Sequence, residues 1–554
     1  MPFAERLFRL AIWTNGDDRA AGFVGQITAN SFMKREFGKK LVEGYFPSVH
    51  LTHVIDTSGA YIPGHGTPTA ILVGRNHVGR RGEPVRAVLG VRGEPSQPDD
   101  PAKGLVWTSI TNQFGEAHSE TEWVSTDDLP REQFEAHPWS LSGGGAGPVL
   151  EAIGTAPRVM TDLAEGSIGR GVRVGADEAF MRPRRLSRRV ADSGRPMRPL
   201  LTGESIRDWD ARPEELIYCP YLAGASVELP TVLWSWRAVL AARRTFQGDM
   251  ADADLGWWDY MQYTPSAYAA PLSITFAFVA THNQFVLDRG GKVFNRSAPV
   301  IKLSAGAIED DHLALLGLLN SSAACFWLKQ VCHDKGRQGV NEGFKSQEWE
   351  RFYEFTGTKL QEFPLPAQLP LDLGRELDAL AQQLARQEPS AVCERTTPDR
   401  AQLDAARTEH TRLRRRMIAL QEELDWQVYG SYDLLTDREV AELTAADLDQ
   451  VPEVNLGERA FEIVLARKQA AGEIETAWFS RHRSTPTAEI PAHWPDWYRA
   501  KVQARIDVIE NRRDLALIER PECKRRWATE SWEKQQERAL RTWLLDRLEA
   551  RPLW

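Results

Sequence analysis

The run that most constrains the fold is the first 75 residues. Residues 3–13 (FAERLFRLAIW) carry apolar side chains at helical spacing, and residues 22–28 (GFVGQIT) read as a buried strand. A helix over 31–46 follows, with Ser31 as its N-cap. Residues 49–56 (VHLTHVID) and 67–74 (TPTAILVG) read as two further strands, separated by breaks at Gly59, Pro63, Gly64 and Gly66. Helix, strand, helix, strand, strand is half of a doubly wound α/β unit. A lone half leaves a sheet edge and a helix-packing face uncovered. The expectation is that a partner supplies the other half, or that this region folds poorly.

The remaining length is enough for about three or four domains in all. A hydrophobic content of 42% supplies their cores. No apolar run approaches the roughly 18–20 residues needed to cross a bilayer, and the N-terminus lacks a secretory pattern. A cytoplasmic protein with no membrane partner is expected. Five scattered cysteines (Cys219, Cys325, Cys332, Cys393, Cys523) do not make a disulfide framework. Cys325, Cys332 and His333 lack a fourth ligand at finger-like spacing, so no metal is expected. The net charge of −9 does not favour nucleic acid as a whole, but averages conceal patches. Segment 170–198 concentrates Arg170, Arg173, Arg182, Arg184, Arg185, Arg188, Arg189, Arg195 and Arg198 against Asp177, Glu178 and Asp192. It is either a phosphate-facing surface or a solvated basic loop.

Residues 76–194 read as an extension rich in turns followed by this basic linker. The runs SGGGAG (142–147) and GSIGRG (166–171) lack the Lys-Ser/Thr of a phosphate-binding loop. Residues 195–370 read as a mixed α+β domain. Its strands SITFAFVATHNQFVL (273–287) and KVFNRSAPVIKLS (292–304) are joined as a hairpin by DRGG (288–291), and one buried helix covers 312–331. Residues 371–430 form a helical spacer, an antiparallel pair. Leu377, Leu380 and Leu384 share one face, and Leu403, Ala406, His410, Leu413, Met417, Leu420 and Leu424 recur at heptad steps. Residues 431–554 read as a helical C-terminal domain. It opens with a Thr436–Glu439 capping box, and Trp532, Ala539, Leu540, Trp543, Leu544 and Leu548 mark the buried face of its last helix.

Two segments could face nucleic acid. LWSWRAVLAARRTF (233–246) places Arg237, Arg243 and Arg244 on or beside a helix, and Trp257, Trp258 and Tyr260 follow. Guanidinium groups suit phosphates and guanine edges, and aromatic rings can wedge or stack. Such a Trp-rich stretch equally suits a core. His282, Asn283, Asn320, Lys329 and Lys335 interrupt apolar elements. Buried, they must be hydrogen-bonded; exposed, Asn can read adenine.

ITANSFMKREFGKKL (27–41), DTSGAYIPGHGTPTAILVGR (56–75), FVATHNQFVLDRGGKVFNRSAPVIKL (278–303) and LGLLNSSAACFWLKQVCHDKG (316–336) together resemble the adenine-specific DNA methyltransferases of BREX phage-exclusion systems, in their type 2 form. Residues 1–75 are similar to the second half of that family's catalytic domain, after the donor loop and the acceptor motif. No Pro-Pro pair preceded by Asn, Asp or Ser occurs in this chain, and no Gly-rich turn joins an N-terminal strand to a helix. The resemblance thus implies a partial doubly wound methyltransferase sheet, a target-recognition domain at 195–370, the spacer and the C-terminal domain. It assigns no catalytic residue to this chain. S-adenosylmethionine is implied for the complete enzyme and not for this chain alone. An aromatic residue before the last strand of the sheet stacks on the flipped adenine in that family, which nominates Tyr61. Double-stranded DNA is the implied partner, with a separate chain carrying the missing half and other phage-defence proteins. The reading is a truncated or split adenine methyltransferase that retains target recognition; the alternative is a non-enzymatic DNA-binding or assembly subunit of a defence complex. The candidate DNA contacts are Arg184, Arg185, Arg188, Arg189, Arg237, Arg243, Arg244, Trp257, Trp258, Tyr260, His282, Asn283, Lys329 and Lys335.

Overall fold

A computed structural model describes residues 2–14, 20–64, 66–80, 82–184, 196–223, 231–335, 338–339, 343–344 and 347–549. The chain is a mixture of helix and sheet. Its N-terminal sheet has six strands: β1 (Phe23–Ala29), β2 (His50–Asp56), β3 (Thr69–Arg75), β4 (Val85–Gly90), β5 (Ser119–Glu120) and β6 (Val124–Leu129). Their order is β1-β3-β2-β4-β6-β5. β3 runs antiparallel to both its neighbours, β2 and β4 are parallel, and β6 is antiparallel to β4. β1, β2 and β4 therefore point the same way and end together. The sheet is mixed, with β3 and β6 antiparallel to their neighbours.

It also runs past residue 75, where the sequence reading placed its end. β4 is a short apolar run (VRAVLG) hidden between Gly82-Pro84 and Gly93-Pro95 turns. β6 (VSTDDL) is too polar to announce itself as a strand. Pairing makes it one: Arg86 meets Asp128 across the two strands at 2.5 and 3.1 Å. That pair holds the Asp128 carboxyl below its ordinary range, with the hydrogen bond to Arg86 as the largest cause.

The helix expected over 31–46 is absent. Short 3-10 turns at Asn30–Met33, Glu36–Gly38 and Phe46–Ser48 flank a π-helical turn at Lys40–Tyr45. Gly38, Gly44 and Pro47 explain this, since each Gly costs about 1 kcal/mol in a helix interior and Pro more. At Gly38 a Cβ would lie 1.8 Å from the Phe32 carbonyl oxygen, so the turn depends on its close approach. The apolar residues are still used. Phe32, Met33, Leu41, Val42 and Phe46 cover one face of the sheet together with Phe134 and Trp139. Helix Leu105–Gln113 covers the other through Val106 and Ile110, against Ile55 and Val88.

Residues 172–268 build a smaller core of their own around Val172, Phe180, Leu200, Ile217, Leu240 and Tyr260. The largest core runs from Val149 through Leu315 and Met417 to Ile518, with smaller clusters around Leu201 and Val300 and around Val392, Leu403 and Ala406. Helix Leu371–Arg386 packs on both Glu309–Leu319 and Arg400–Ser431. The spacer is thus built into the surrounding core, and its heptad residues Leu403 to Leu424 are buried.

Three local expectations are corrected. The strand Phe285–Asp288 pairs with Ser273–Phe276, not across the DRGG turn, and Val293–Phe294 pairs with Met197–Leu201 instead. The helix expected over 312–331 is two helices, Glu309–Leu319 and Ser322–Val331. Asn320 caps the first and the Ser321 hydroxyl caps the second by accepting from the Ala324 amide. The last helix, Trp532–Leu548, buries only Ala539 fully, and Leu544 and Leu548 are half exposed.

Candidate nucleic-acid interface

The carboxyl ends of β1, β2 and β4 open onto a cleft. Asn30, Asp56, Ser58 and Gly90 to Gly93 line one side; Phe326, Lys329, Gln330, His333, Asp334, Glu348, Arg351 and Tyr353 line the other. Its polar groups are locked to one another. The Asp56 carboxylate accepts from the Ser58 amide at 2.9 Å. Lys34 donates to the Lys329 carbonyl at 2.9 Å, and Lys329 donates to the Glu522 carbonyl at 2.6 Å. Arg351 pairs with Asp334, and with Glu348 at 3.0 Å. Burial dominates the titration of both Asp56, whose carboxyl is pushed up, and Lys34, whose ammonium is pushed down. His333 falls to about 4, first through burial and then through Arg35. Gly90 is needed here, because a Cβ would sit 2.7 Å from Asp56 Oδ2. The cleft holds about 160 Å³, against roughly 300–1,000 Å³ for a site that encloses a cofactor-sized ligand. In this structure that volume is smaller than a site enclosing S-adenosylmethionine would need.

The segment 231–263 separates adjacent arginines by fate. Arg243 is buried and donates to the carbonyls of Leu240, Val174, Trp257 and Asp259. Four carbonyls take four of its five N–H donors, so it is a structural clamp, and its nomination as a DNA contact is corrected. Tyr260 is likewise buried and donates its hydroxyl to the Tyr218 carbonyl. Arg237 is exposed and lies over Trp234 at 5.0 Å and Trp257 at 5.9 Å. Trp257 and Trp258 are half-buried. Arg244 is exposed at the foot of a tight hairpin, Arg244–Thr245 paired with Gly248–Asp249. At the hairpin tip Phe246 is 98% exposed, with the Arg173 guanidinium 5.9 Å from its ring centre. The sequence reading passed over Phe246, although an apolar residue beside Gln247-Gly248 in a two-residue turn was the available signal.

The other nominees divide similarly. Asn283 donates to the carbonyls of Leu319 and Ser321 at 2.7 and 2.9 Å, clamping the break between the two central helices. His282 is buried against Gln284 at 2.9 Å and held well below its ordinary range by burial and Arg525. Asn283 is committed to those carbonyls and its nomination is corrected, whereas His282 lies buried on the wall of a small cleft with Arg207 and Arg526. Lys329 is buried and spent on Glu522, over the Tyr353 ring at 4.9 Å. Lys335 is exposed and pairs with Glu354 at 2.8 Å. Arg184 is exposed, 3.8 Å from Glu394. Arg185, Arg188 and Arg189 lie outside the described residues. Tyr61 is half-buried in the loop from β2 to β3, two residues after Gly59 of the cleft. Among the described residues no group of three His, Cys, Asp or Glu is placed to hold a metal, and no helix is long and apolar enough to cross a membrane.

Comparison with known proteins bears on this geometry. The whole chain is 51% identical to the adenine-specific methyltransferase PglX of Streptomyces coelicolor, and it spans 47% of that protein's length. Residues 417–554 match a family described as a domain of unknown function, DUF7008. The type IIL restriction-modification enzyme MmeI, solved in complex with DNA, aligns over 74% of this chain and 47% of its own at 11% identity and a TM-score of 0.39. The type IIG restriction endonuclease BpuSI aligns over 74% and 48% at 11% identity and a TM-score of 0.29. The resemblance drawn from the four sequence blocks is thus a likeness to PglX along the entire chain.

Proposed function

We propose that this chain carries the target-recognition part of an adenine-specific DNA methyltransferase of a BREX anti-phage system. Its identity to PglX along its full length carries the reading. Methyl transfer to the adenine amine belongs to the complete enzyme, with S-adenosylmethionine bound by residues that this chain does not supply. Here the chain's own side chains bind and orient duplex DNA. Phosphates meet the exposed guanidinium groups of Arg237 and Arg244, and Phe246 projects as an apolar wedge between base steps, as apolar side chains of DNA-bending proteins do. Tyr61, next to the cleft, offers a face for the extruded adenine.

A second observation supports contact with a donor-binding half. Phe3, Leu10, Ile12, Trp13, Phe23 and Ile27 are all more than half exposed. They lie on helix Pro2–Leu10, on the chain that follows it, and on β1, the outer strand of the sheet against which that helix packs. Large apolar side chains exposed along one edge in this way mark an association surface. Over half of the length of PglX lies outside the alignment, and that remainder is the partner we assign to the edge.

Duplex binding by fluorescence anisotropy tests the recognition role. Phe246→Ala and Arg244→Ala should each weaken binding about fivefold or more, as loss of about 1–3 kcal/mol implies. Arg244→Ala should also lower the salt slope by about one phosphate contact. Unchanged affinity and slope in both variants, with the fold intact, would remove this hairpin from the interface.

A further inference from the structure

The C-terminal region holds a second, larger cleft of about 630 Å³, away from the strand ends. One wall is a stripe of helix Arg400–Ser431, where Arg407, Thr411, Arg414, Arg415 and Ile418 recur at steps of three and four. The facing wall carries Arg481 and Arg483, and the start of helix Trp532–Leu548 closes the end. We propose that this cleft binds a nucleoside phosphate, free or as one nucleotide of a DNA strand.

Four features point to that ligand. Arginine forks match phosphate oxygens in pairs, and here four converge beside Arg414, which donates to the Trp527 carbonyl. Their carboxylate neighbours compete weakly: Arg415 lies 3.9 Å from Glu453 and Arg481 lies 3.8 Å from Glu350, in exposed pairs of little worth. Only Arg407 has a close carboxylate, Glu533 at 2.6 Å, and that pair is exposed too. The two glutamates of the lining are engaged elsewhere, Glu458 with the Asn455 amide at 2.8 Å and Glu530 with Arg538 at 2.9 Å. Second, the seventeen-residue helix Trp532–Leu548 begins at the cleft, and its N-cap residue Ser531 makes no side-chain capping bond. Of its first amides that of Glu533 is met by the Glu533 carboxylate, and the amides beside it are the kind of donors that an anion satisfies. Third, the Ser484 hydroxyl oxygen, on the cleft wall, is buried without a hydrogen-bond partner. Fourth, Trp532 stands in the same cleft against His410, with ring centres 5.4 Å apart. Burial and Arg414 push His410 down to about 4, so this aromatic pair is uncharged at neutral pH and suits a base. The volume lies within the roughly 300–1,000 Å³ of small-ligand sites.

The proposal is independent of the DNA-recognition reading, since none of these residues belongs to the hairpin or to the strand-end cleft. Titration calorimetry on the full chain with pyrophosphate, ATP and a single-stranded dodecamer tests it. Saturable binding of pyrophosphate is expected, and ATP should bind about fivefold or more tightly through stacking. Arg415→Ala with Arg481→Ala, both exposed positions, should weaken both at least tenfold while the melting temperature holds. A dodecamer that displaces ATP would identify the ligand as a strand; one that does not would identify it as a free nucleotide. Three results would overturn the proposal: no saturable binding of pyrophosphate or ATP at millimolar concentration, equal affinity for the two, or binding unaffected by the double substitution.

Discussion

Two regions put apolar side chains to opposite uses. Along the two central helices every residue from His312 to Cys332 is buried, polar ones included. Along the N-terminal edge, Phe3 is 82% exposed, Ile12 69% and Phe23 67%. The central helices are the more apolar and helix Pro2–Leu10 is amphipathic, yet the edge too presents large apolar side chains. The difference is cover. The centre is enclosed by helices Leu371–Arg386 and Arg400–Ser431 of the same chain, whereas the edge strand β1 has a neighbour on one side only. A helix that is apolar all round must be buried, and an uncovered apolar edge must be shielded or used.

The centre depends on its buried charges, and the largest predicted effect lies there. Lys524 is fully enclosed by Glu422 at 3.3 Å, Asp425 at 2.8 Å and Glu519 at 2.9 Å. Lys524→Met keeps the stem and strands three carboxylates, so it should cost about 3–5 kcal/mol. Chemical denaturation should show the loss, and a near-neutral result would mean that the centre is held by packing alone.

The same cluster sets a pH dependence. Burial pushes the Glu422 carboxyl up to about 7, against an ordinary value of 4.5, while Lys524 opposes the shift. A raised folded value gives stability that is complete below pH 4.5 and lost as the pH rises through 7. Glu422→Gln stays neutral, so its stability should vary less than that of the natural chain between pH 4.5 and 7. Identical slopes would place the titrating group elsewhere.

How much of this was legible follows from what each residue's signal depends on. β1, β2 and β3 lie within two residues of the runs 22–28, 49–56 and 67–74, because alternating branched residues mark strands locally. β6 was not legible, because Asp127 and Asp128 read as loop until β4 lies alongside. Arg243 and Arg244 are neighbours with identical chemistry, and only the position of the Val174, Trp257 and Asp259 carbonyls makes one a clamp and the other a surface group. The pocket arginines were equally hidden. Arg407 and Arg415 carry no signal until Arg481 and Arg483, more than sixty residues on, are folded against them.

The sharpest form of the comparison uses one substitution in each region. Leu316 is fully buried in the centre, and Leu316→Ala should cost about 2–5 kcal/mol, the lost transfer energy plus the cavity left behind. Ile27 projects 61% exposed from β1, in register with Ile71 of β3 but with no strand on its other side. Removing its apolar surface loses little burial, so Ile27→Ser should change stability by no more than about 0.5 kcal/mol. Its effect should appear in association instead. Mixed with the separately expressed remainder of PglX, the natural chain should form a complex on size exclusion, and Ile27→Ser with Trp13→Ser should weaken it while each chain remains folded. If the paired variant instead lost as much stability as Leu316→Ala, the edge would be part of this chain's own core. If it associated as tightly as the natural chain, the partner would bind elsewhere, and the exposed side chains at Phe3, Phe23 and Ile27 would need another occupant.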